Sequence, residues 1–280
     1  MARDLLPMVR QMLGDRYAVD REIGHGGAAR VFGARDTAGR RVALKILHPQ
    51  LVASVTADRF LREIHLVSRL DHPLIAQLLD YGEEDWLVYC VMQYVEGPTL
   101  RQHLTRVTRL SISDTFRTAQ DQLDALGYAH GLGIVHRDVK PDNIVLSPGG
   151  AVLLDFGIAK AVAESGTDRL TRSGFAVGTS AYMSPEQIAG SDEIDQRSDI
   201  YALGCVLFEC LAGRPPYEDP FEDLVLRMHQ QAEVPDVRSF RKDVPDTLAS
   251  AISRALAKER TERWASAAEM RSALLTGAVL

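Results

Sequence analysis

Six polar side chains fall within the eight positions of HRDVKPDN, residues 136–143, and apolar runs flank this stretch on both sides. Pro141 prevents a helix from continuing through it, so we expect a loop between two buried segments. Asp138 is a candidate base or orienter for a hydroxyl group. Lys140 supplies positive charge of the kind that stabilises a transferred phosphoryl group as negative charge develops on it.

A second carboxylate is expected close to this loop. The segment NIVL leads through the turn SPGG into AVLLDFG, so Asp155 follows the second strand of a predicted hairpin and emerges beside Asn143. A carboxylate and an amide oxygen together suit a hard cation, and Mg²⁺ typically takes one or two protein oxygens while phosphates and water complete its shell. Asn143 and Asp155 are therefore candidate Mg²⁺ ligands.

Three glycines lie between strand-like runs in EIGHGGAARVF. Gly24, Gly26 and Gly27 are predicted to form a hairpin tip where backbone N–H groups can approach phosphate oxygens. A plain tight hairpin explains the glycines equally well when they are taken alone. The strand–turn–strand context argues against a Rossmann fingerprint and against a P-loop, since both need a helix after the glycines.

A lysine and a glutamate are both predicted to point inward. Alternation in RRVALKIL places Lys45 on one face of a half-buried strand beside Ala43. Glu63 falls on the apolar stripe of the helical segment ADRFLREIHLVSRL. An inward charge is costly unless it is paired, so we predict that Lys45 pairs with Glu63 and presents its ammonium to a phosphate. The alternative is a solvated lysine and glutamate at a frayed edge.

The elements that must position these groups change in kind near residue 97. Before this point come strand-like runs and the single helical segment, and after it helical periods dominate. The strand-like runs are RYAVDREIG, ARVFGARD, RRVALKIL, IAQLLDYGE and DWLVYCVMQYV, and the helical ones include DTFRTAQDQLDALGYAH, DIYALGCVLFECLAG, DTLASAISRALA and SAAEMRSALL. The sequence therefore predicts a small β-rich lobe and a larger helical lobe, and clefts between such lobes are common ligand sites.

Composition excludes several classes of protein. The 280 residues are 46% hydrophobic and 25% charged, as in an ordinary globular chain, and the net charge of −6 argues against nucleic-acid binding. Cys90, Cys205 and Cys210 lie in apolar runs without pairing or metal-ligand spacing, so we expect small buried residues in a reducing compartment. The longest apolar run, residues 201–213, is shorter than the roughly 20 residues that cross a bilayer. No signal-peptide core precedes it, and we expect a cytoplasmic chain.

The motifs GHGGAARV, VALK, HRDVKPDN, DFG and SPE occur in the order and approximate spacing of the eukaryotic-like (Hanks-type) protein kinases. The resemblance runs from about Tyr17 to Leu275, and within the family the chain is most similar to bacterial serine/threonine kinases. It implies an α+β, bilobal protein-kinase fold. The expected domains are an N-terminal extension (1–14) and a catalytic domain (15–276), with an N-lobe of 15–96 and a C-lobe of 97–276.

The resemblance also implies roles for individual residues. Asp138 accepts the substrate hydroxyl proton, and Lys45 with Glu63 holds the α- and β-phosphates of ATP. Asn143 and Asp155 bind Mg²⁺. Glu186 pairs with Arg263 in a structural role, and Asp199 braces the catalytic loop. The implied nucleotide contacts are Ile23, Gly24, Gly26, Gly27, Val31, Ala43, Lys45, the gatekeeper Met92, the hinge residues Gln93 and Val95, and Val145.

The expected function is transfer of the γ-phosphoryl of ATP to Ser or Thr hydroxyls of proteins. A nucleotide-binding pseudokinase and a small-molecule phosphotransferase are the alternatives. The intact set Lys45, Glu63, Asp138, Asn143 and Asp155 argues against the first, and Lys140, GTSAY and SPE argue against the second.

The segment between Asp155 and Glu186 is expected to be regulated by phosphorylation. Thr171, ranked first, and Ser173 are the candidates for autophosphorylation, and Arg137 is the candidate phosphate ligand; merely solvated hydroxyls are the alternative. Bacterial relatives often continue into a membrane span, so the chain is either cytoplasmic by itself or the cytosolic domain of a longer membrane-anchored kinase. The resemblance also allows a homodimer through the N-lobe, which no residue pattern supports.

Overall fold

A computed structural model describes residues 5–25, 29–47, 64–84, 87–156, 180–191 and 193–276. The described residues form two compact units. Unit 1 holds those up to residue 71 together with 76–95, and unit 2 holds 72–75 and those from residue 96 onward. The fold class, an α+β protein with an N-terminal sheet and a larger helical part, is confirmed.

Unit 1 is built on an antiparallel sheet whose five strands lie in the order β1-β2-β3-β5-β4. Each strand coincides with a segment that the sequence predicts as extended, and the side chains of β3 alternate between the two faces as expected. Val42, Leu44 and Ile46 are buried in the core of the unit, whereas Ala43 and Lys45 are half-buried on the opposite face. The strands are β1 (Tyr17–His25), β2 (Ala29–Asp36), β3 (Arg41–Leu47), β4 (Leu78–Glu84) and β5 (Leu87–Gln93).

The first described helix, α1 (Leu6–Leu13), packs on this sheet. Val9 and Leu13 are fully buried in the same apolar cluster as Phe32 and Leu44. Arg10 fixes the helix by donating from Nε to the Val19 carbonyl at 2.9 Å. Residues 6–13 therefore contribute core to unit 1.

Unit 2 is mainly helical and contains the hairpin that the sequence predicts. Residues 144–147 and 150–153 pair antiparallel, and Ile144 lies opposite Leu153. The elements are α2 (Leu100–Val107), α3 (Ile112–Gly131), β6 (Ile144–Ser147), β7 (Gly150–Leu153), α4 (Pro185–Ile188), α5 (Gln196–Ala212), α6 (Glu222–Gln231), α7 (Asp246–Ala255) and α8 (Ala267–Thr276).

Helix α5 forms the core of unit 2. Every residue from Ser198 to Ala212 is buried, as the nearly continuous apolar sequence predicts. The Asp195 carboxylate caps its N-terminus by accepting from the Arg197 N–H at 2.8 Å, and Gly213 ends it at φ 79°.

The expectation for the cysteines is confirmed in so far as all three are buried and free. Burial raises the pKa of the thiols of Cys205 and Cys210 far above the usual range. None of the helices in the described parts of the chain is long and apolar enough to span a membrane.

Candidate active site

One face of the unit 1 sheet carries several of the predicted nucleotide contacts. Val31 lies opposite Lys45, and Gly24 lies opposite Val31. Ala43 lies opposite Met92, two residues along β3 from Lys45, and therefore on the same face. The register thus brings Gly24, Val31, Ala43 and Lys45 together.

The remaining predicted contacts of unit 1 divide into two groups. Ile23 is 42% exposed at the end of β1, Gln93 is exposed at the end of β5, and Val95 is half-buried beyond it. The others, Gly26, Gly27 and Glu63, lie outside the described residues, as do Thr171 and Ser173. The Lys45–Glu63 pair and the loop phosphorylation sites therefore stay predictions.

In unit 2, the Asp138 carboxylate is held by two donors. Lys140 Nζ lies 2.8 Å from Asp138 Oδ2, and Asn143 Nδ2 donates to the same oxygen at 3.0 Å. Asn143 Nδ2 also donates to the Asp138 carbonyl at 2.9 Å. The carboxylate is only 19% exposed, so these contacts fix its position more firmly than surface pairs would.

The buried carboxylate of Asp199 braces the backbone of this loop. Its Oδ2 accepts from the His136 N–H and its Oδ1 from the Arg137 N–H, both at 2.7 Å. His130 Nε2 lies 2.8 Å from Oδ2. Burial raises the pKa of Asp199, but the hydrogen bond and charge of His130 outweigh it and hold the pKa below its usual value. The predicted bracing by Asp199 is confirmed.

His136 links the loop to the hairpin through both ring nitrogens. The Leu154 carbonyl lies 2.8 Å from Nε2, so Nε2 carries the proton, and Nδ1 accepts from the Asp138 N–H at 3.1 Å. Burial lowers the pKa of His136, which keeps the ring neutral. The ring also packs on Phe156, with centroids 4.7 Å apart.

Asn143 and Asp155 lie at the same end of the hairpin. The Leu154 N–H donates to the Asn143 carbonyl at 2.8 Å, which extends the β6–β7 pairing by one residue and places Asp155 next in the chain. Asp155 adopts φ 54°, a left-handed conformation that is uncommon for a residue with a side chain. Val145, the predicted nucleotide contact of this unit, is buried on β6 and bridges to Thr99.

A buried ion pair connects Glu186 of α4 with Arg263, which lies between α7 and α8. Arg263 Nη1 and Nη2 donate to the two carboxylate oxygens of Glu186 at 2.8 and 2.9 Å, and the Arg263 side chain is fully buried. The other guanidinium hydrogens go to the carbonyls of Ala257, Arg197 and Lys258. The predicted Glu186–Arg263 pair is confirmed.

Some side-chain interactions of this unit are not predicted from the sequence. Arg101, Tyr182 and the buried Glu209 form one hydrogen-bonded network. Gln187 Nε2 donates to the Arg137 carbonyl at 2.9 Å. The pattern S-x-x-Q at Ser184 marks a capping box, and this signal could have singled out Gln187 in advance.

The family described as "Protein kinase domain" matches residues 17–274. The chain is 38% identical over 281 residues to the probable serine/threonine-protein kinase PknB of Bifidobacterium longum, covering 96% of this chain and 40% of the relative. It is 39% identical over 272 residues to PknB of Mycolicibacterium smegmatis, covering 95% and 43%. The chain thus spans about two fifths of the length of these curated relatives.

A solved structure shares this fold. Rad53 residues 1–466, in complex with AMP-PNP, aligns with a TM-score of 0.77 and 25% identity over 92% of this chain and 65% of its own. The family match and the bacterial relatives both identify a protein kinase, and the arrangement of the HRDVKPDN loop is consistent with this family. The chain belongs to the protein kinase family, in its eukaryotic-like (Hanks-type) branch.

Proposed function

We propose that the chain transfers the γ-phosphoryl group of ATP to serine and threonine hydroxyls of proteins. The observation that carries this proposal is the environment of Asp138, whose Oδ2 is contacted by Lys140 Nζ and Asn143 Nδ2. A carboxylate that two donors hold in place on a braced loop is suited to orient a hydroxyl and accept its proton. The names of the bacterial relatives support serine and threonine as acceptors.

In the proposed reaction, the acceptor oxygen forms a bond to the γ-phosphorus while the bond from that phosphorus to the β–γ bridging oxygen breaks. ADP leaves with that oxygen, and the proton of the acceptor hydroxyl passes to Asp138 Oδ1 or Oδ2. Lys140 brings positive charge to the same place, which stabilises the charge on the transferred group.

We assign Mg²⁺ to Asn143 and Asp155. The hydrogen bonds of the Asn143 side chain to Asp138 use its nitrogen, and its amide oxygen is the atom that suits a hard cation. Asp155 supplies a carboxylate at the same end of the hairpin. When bound, Mg²⁺ would neutralise charge on the phosphate oxygens.

We assign ATP to the residues that share the Lys45 face of unit 1 and to the other nucleotide contacts that the resemblance implies. Lys45 would hold the α- and β-phosphates with Glu63, and the glycine backbone would cover them. The AMP-PNP complex of Rad53 supports a nucleotide of this class. The proposed contacts are Ile23, Gly24, Gly26, Gly27, Val31, Ala43, Gln93, Val95 and Val145.

We also propose autophosphorylation within the segment between Asp155 and Glu186, at Thr171 or Ser173. Arg137, which follows His136 in the braced loop, would receive the phosphate. A phosphate carries about −1.5 to −2 charges and can form one to three charge-assisted hydrogen bonds.

The acceptor class is tested by incubating the chain with γ-labelled ATP and Mg²⁺, together with a generic protein or a panel of small alcohols and amines. The expected result is label on serine and threonine of the protein. No label should form when EDTA is present during the incubation. Label on small molecules alone would support a small-molecule phosphotransferase. ATP binding with no transfer to any acceptor would support a pseudokinase.

Location and assembly are part of the same proposal. We place the chain in the cytosol, by itself or as part of a longer membrane-anchored kinase. Protein substrates are its proposed partners. Sedimentation at several concentrations would show whether it also forms the homodimer that the resemblance allows.

A further inference from the structure

The Gln187 side chain takes part in two hydrogen-bond systems at once. Its Oε1 accepts from the Ser184 N–H at 3.1 Å, and the Ser184 hydroxyl accepts from the Gln187 N–H at 3.4 Å, which closes the capping box of α4. Its Nε2 donates to the Arg137 carbonyl, 50 residues earlier in the chain. A capping box needs only the oxygen of a glutamine, so the amide nitrogen has a separate role.

Arg137, the residue that Gln187 contacts, has an unfavourable backbone conformation. Its φ is 65°, in the left-handed region that residues with side chains rarely occupy. Such a conformation is strained and persists only where surrounding contacts enforce it. The Arg137 N–H is held by Asp199 and its carbonyl by Gln187, so the residue is fixed from both sides.

The peptide group between Arg137 and Asp138 is fixed at both of its polar atoms. Gln187 Nε2 donates to the Arg137 carbonyl oxygen, and the Asp138 N–H donates to His136 Nδ1 at 3.1 Å. This peptide group sets the direction in which the Asp138 side chain leaves the backbone. Losing the Gln187 donor would allow the group to rotate toward a less strained conformation.

We infer that Gln187 is a positioning residue for Asp138, because its amide nitrogen holds the strained peptide that precedes the catalytic carboxylate. It also connects the loop to α4, so a displacement of α4 would change the position of Asp138. This inference rests on the proposed role of Asp138 in phosphoryl transfer.

A second capping box in the chain provides a matched control. In α2, Gln102 Oε1 accepts from the Thr99 N–H at 3.0 Å, and Gln102 is exposed to solvent. Replacing either glutamine by glutamate keeps the oxygen that closes the box. Only Gln187→Glu also removes a donor to the loop and places a carboxylate against the Arg137 carbonyl.

The test compares Gln187→Glu, Gln102→Glu and wild type with ATP, Mg²⁺ and a generic protein acceptor. Gln187→Glu should lower kcat by about tenfold or more and leave the KM for ATP within about twofold, because small misplacements of a reacting group affect the chemical step. Gln102→Glu should match wild type in both constants. A kcat for Gln187→Glu within about twofold of wild type would overturn the inference.

Two further variants keep the test decisive if Gln187→Glu fails to fold. Ser184→Ala removes the hydroxyl of the box and retains the Gln187 amide, whereas Gln187→Met removes the box and the loop contact together. The inference requires a lower kcat for Gln187→Met than for Ser184→Ala at a temperature where both are folded, and equal values would refute it. Asp138→Asn separates the two proposals, since an active Asp138→Asn protein would refute the role of Asp138 itself.

Discussion

Replacing Glu186 by glutamine tests how much one buried ion pair contributes to the stability of unit 2. Glutamine keeps the size of the side chain and one acceptor oxygen but removes the charge opposite Arg263. The Arg263 guanidinium would remain fully buried without a counter-charge. Breaking a buried pair by neutralising one partner typically costs about 3–5 kcal/mol.

The pKa of Glu186 reflects the same interaction. Burial raises this pKa, but the hydrogen bond and charge of Arg263, aided by the Ser198 hydroxyl, outweigh burial and lower the pKa from 4.5 to about 2. The Glu186 side chain is only 12% exposed, so solvent screening is limited. Each pKa unit corresponds to about 1.4 kcal/mol, so ionisation of Glu186 contributes about 3 kcal/mol.

The direction of the pKa shift determines the pH dependence. Because the pKa is lower in the folded chain than in the unfolded chain, the contribution is fully present above about pH 4.5 and is lost as the pH falls toward about 2. The difference in unfolding free energy between wild type and Glu186→Gln should therefore be constant near neutral pH and shrink in that acidic window.

Urea unfolding at a series of pH values measures this difference. Glu218→Gln is the matched control. Glu218 Oε2 lies 3.3 Å from Arg214 Nη2, and the Glu218 side chain is 59% exposed. Such exposed pairs contribute about 0–1 kcal/mol, so this variant should resemble wild type. A loss below about 1 kcal/mol in Glu186→Gln at neutral pH, or a difference that does not change in acid, would refute the reasoning.

Two further predictions concern the proposed chemistry and its regulation. Lys45→Met and Asp155→Asn should each lower turnover by at least about a hundredfold, since each removes one preorganised electrostatic partner of the nucleotide or metal. Steady-state rates check this, and retained activity in Asp155→Asn would contradict the metal assignment. Incubation with Mg²⁺ and ATP should place phosphate on Thr171 or Ser173, as seen by mass spectrometry, and the double alanine variant should turn over more slowly. An unmodified segment, or wild-type turnover in the double variant, would contradict autophosphorylation.

Local patterns in the sequence were sufficient to predict the strands and the long helices. The alternation around Lys45 predicts which face of β3 is buried, and the apolar run of 201–213 predicts a helix buried on all sides. Family motifs were needed for the Glu186–Arg263 pair, because the two residues are 77 positions apart and neither pattern points to the other.

Long-range side-chain contacts that no family motif names were the part that the sequence did not predict. Arg101 reaches Glu209 across 108 positions, and Gln187 reaches the Arg137 carbonyl across 50. No periodicity relates such positions, since these contacts depend on how complete elements pack.

The most direct test of the central claim compares two aspartates of the same loop. Asp138 is held by Lys140 and Asn143, whereas the Asp142 side chain is 52% exposed and lies 3.4 Å from Arg101. Single-turnover transfer of labelled γ-phosphate from ATP to a generic protein should slow by at least about a hundredfold in Asp138→Asn, with ATP affinity retained. Asp142→Asn should remain within about twofold of wild type, because an exposed pair contributes little. Equal transfer rates for Asp138→Asn and Asp142→Asn would contradict the assignment of Asp138 to the reaction.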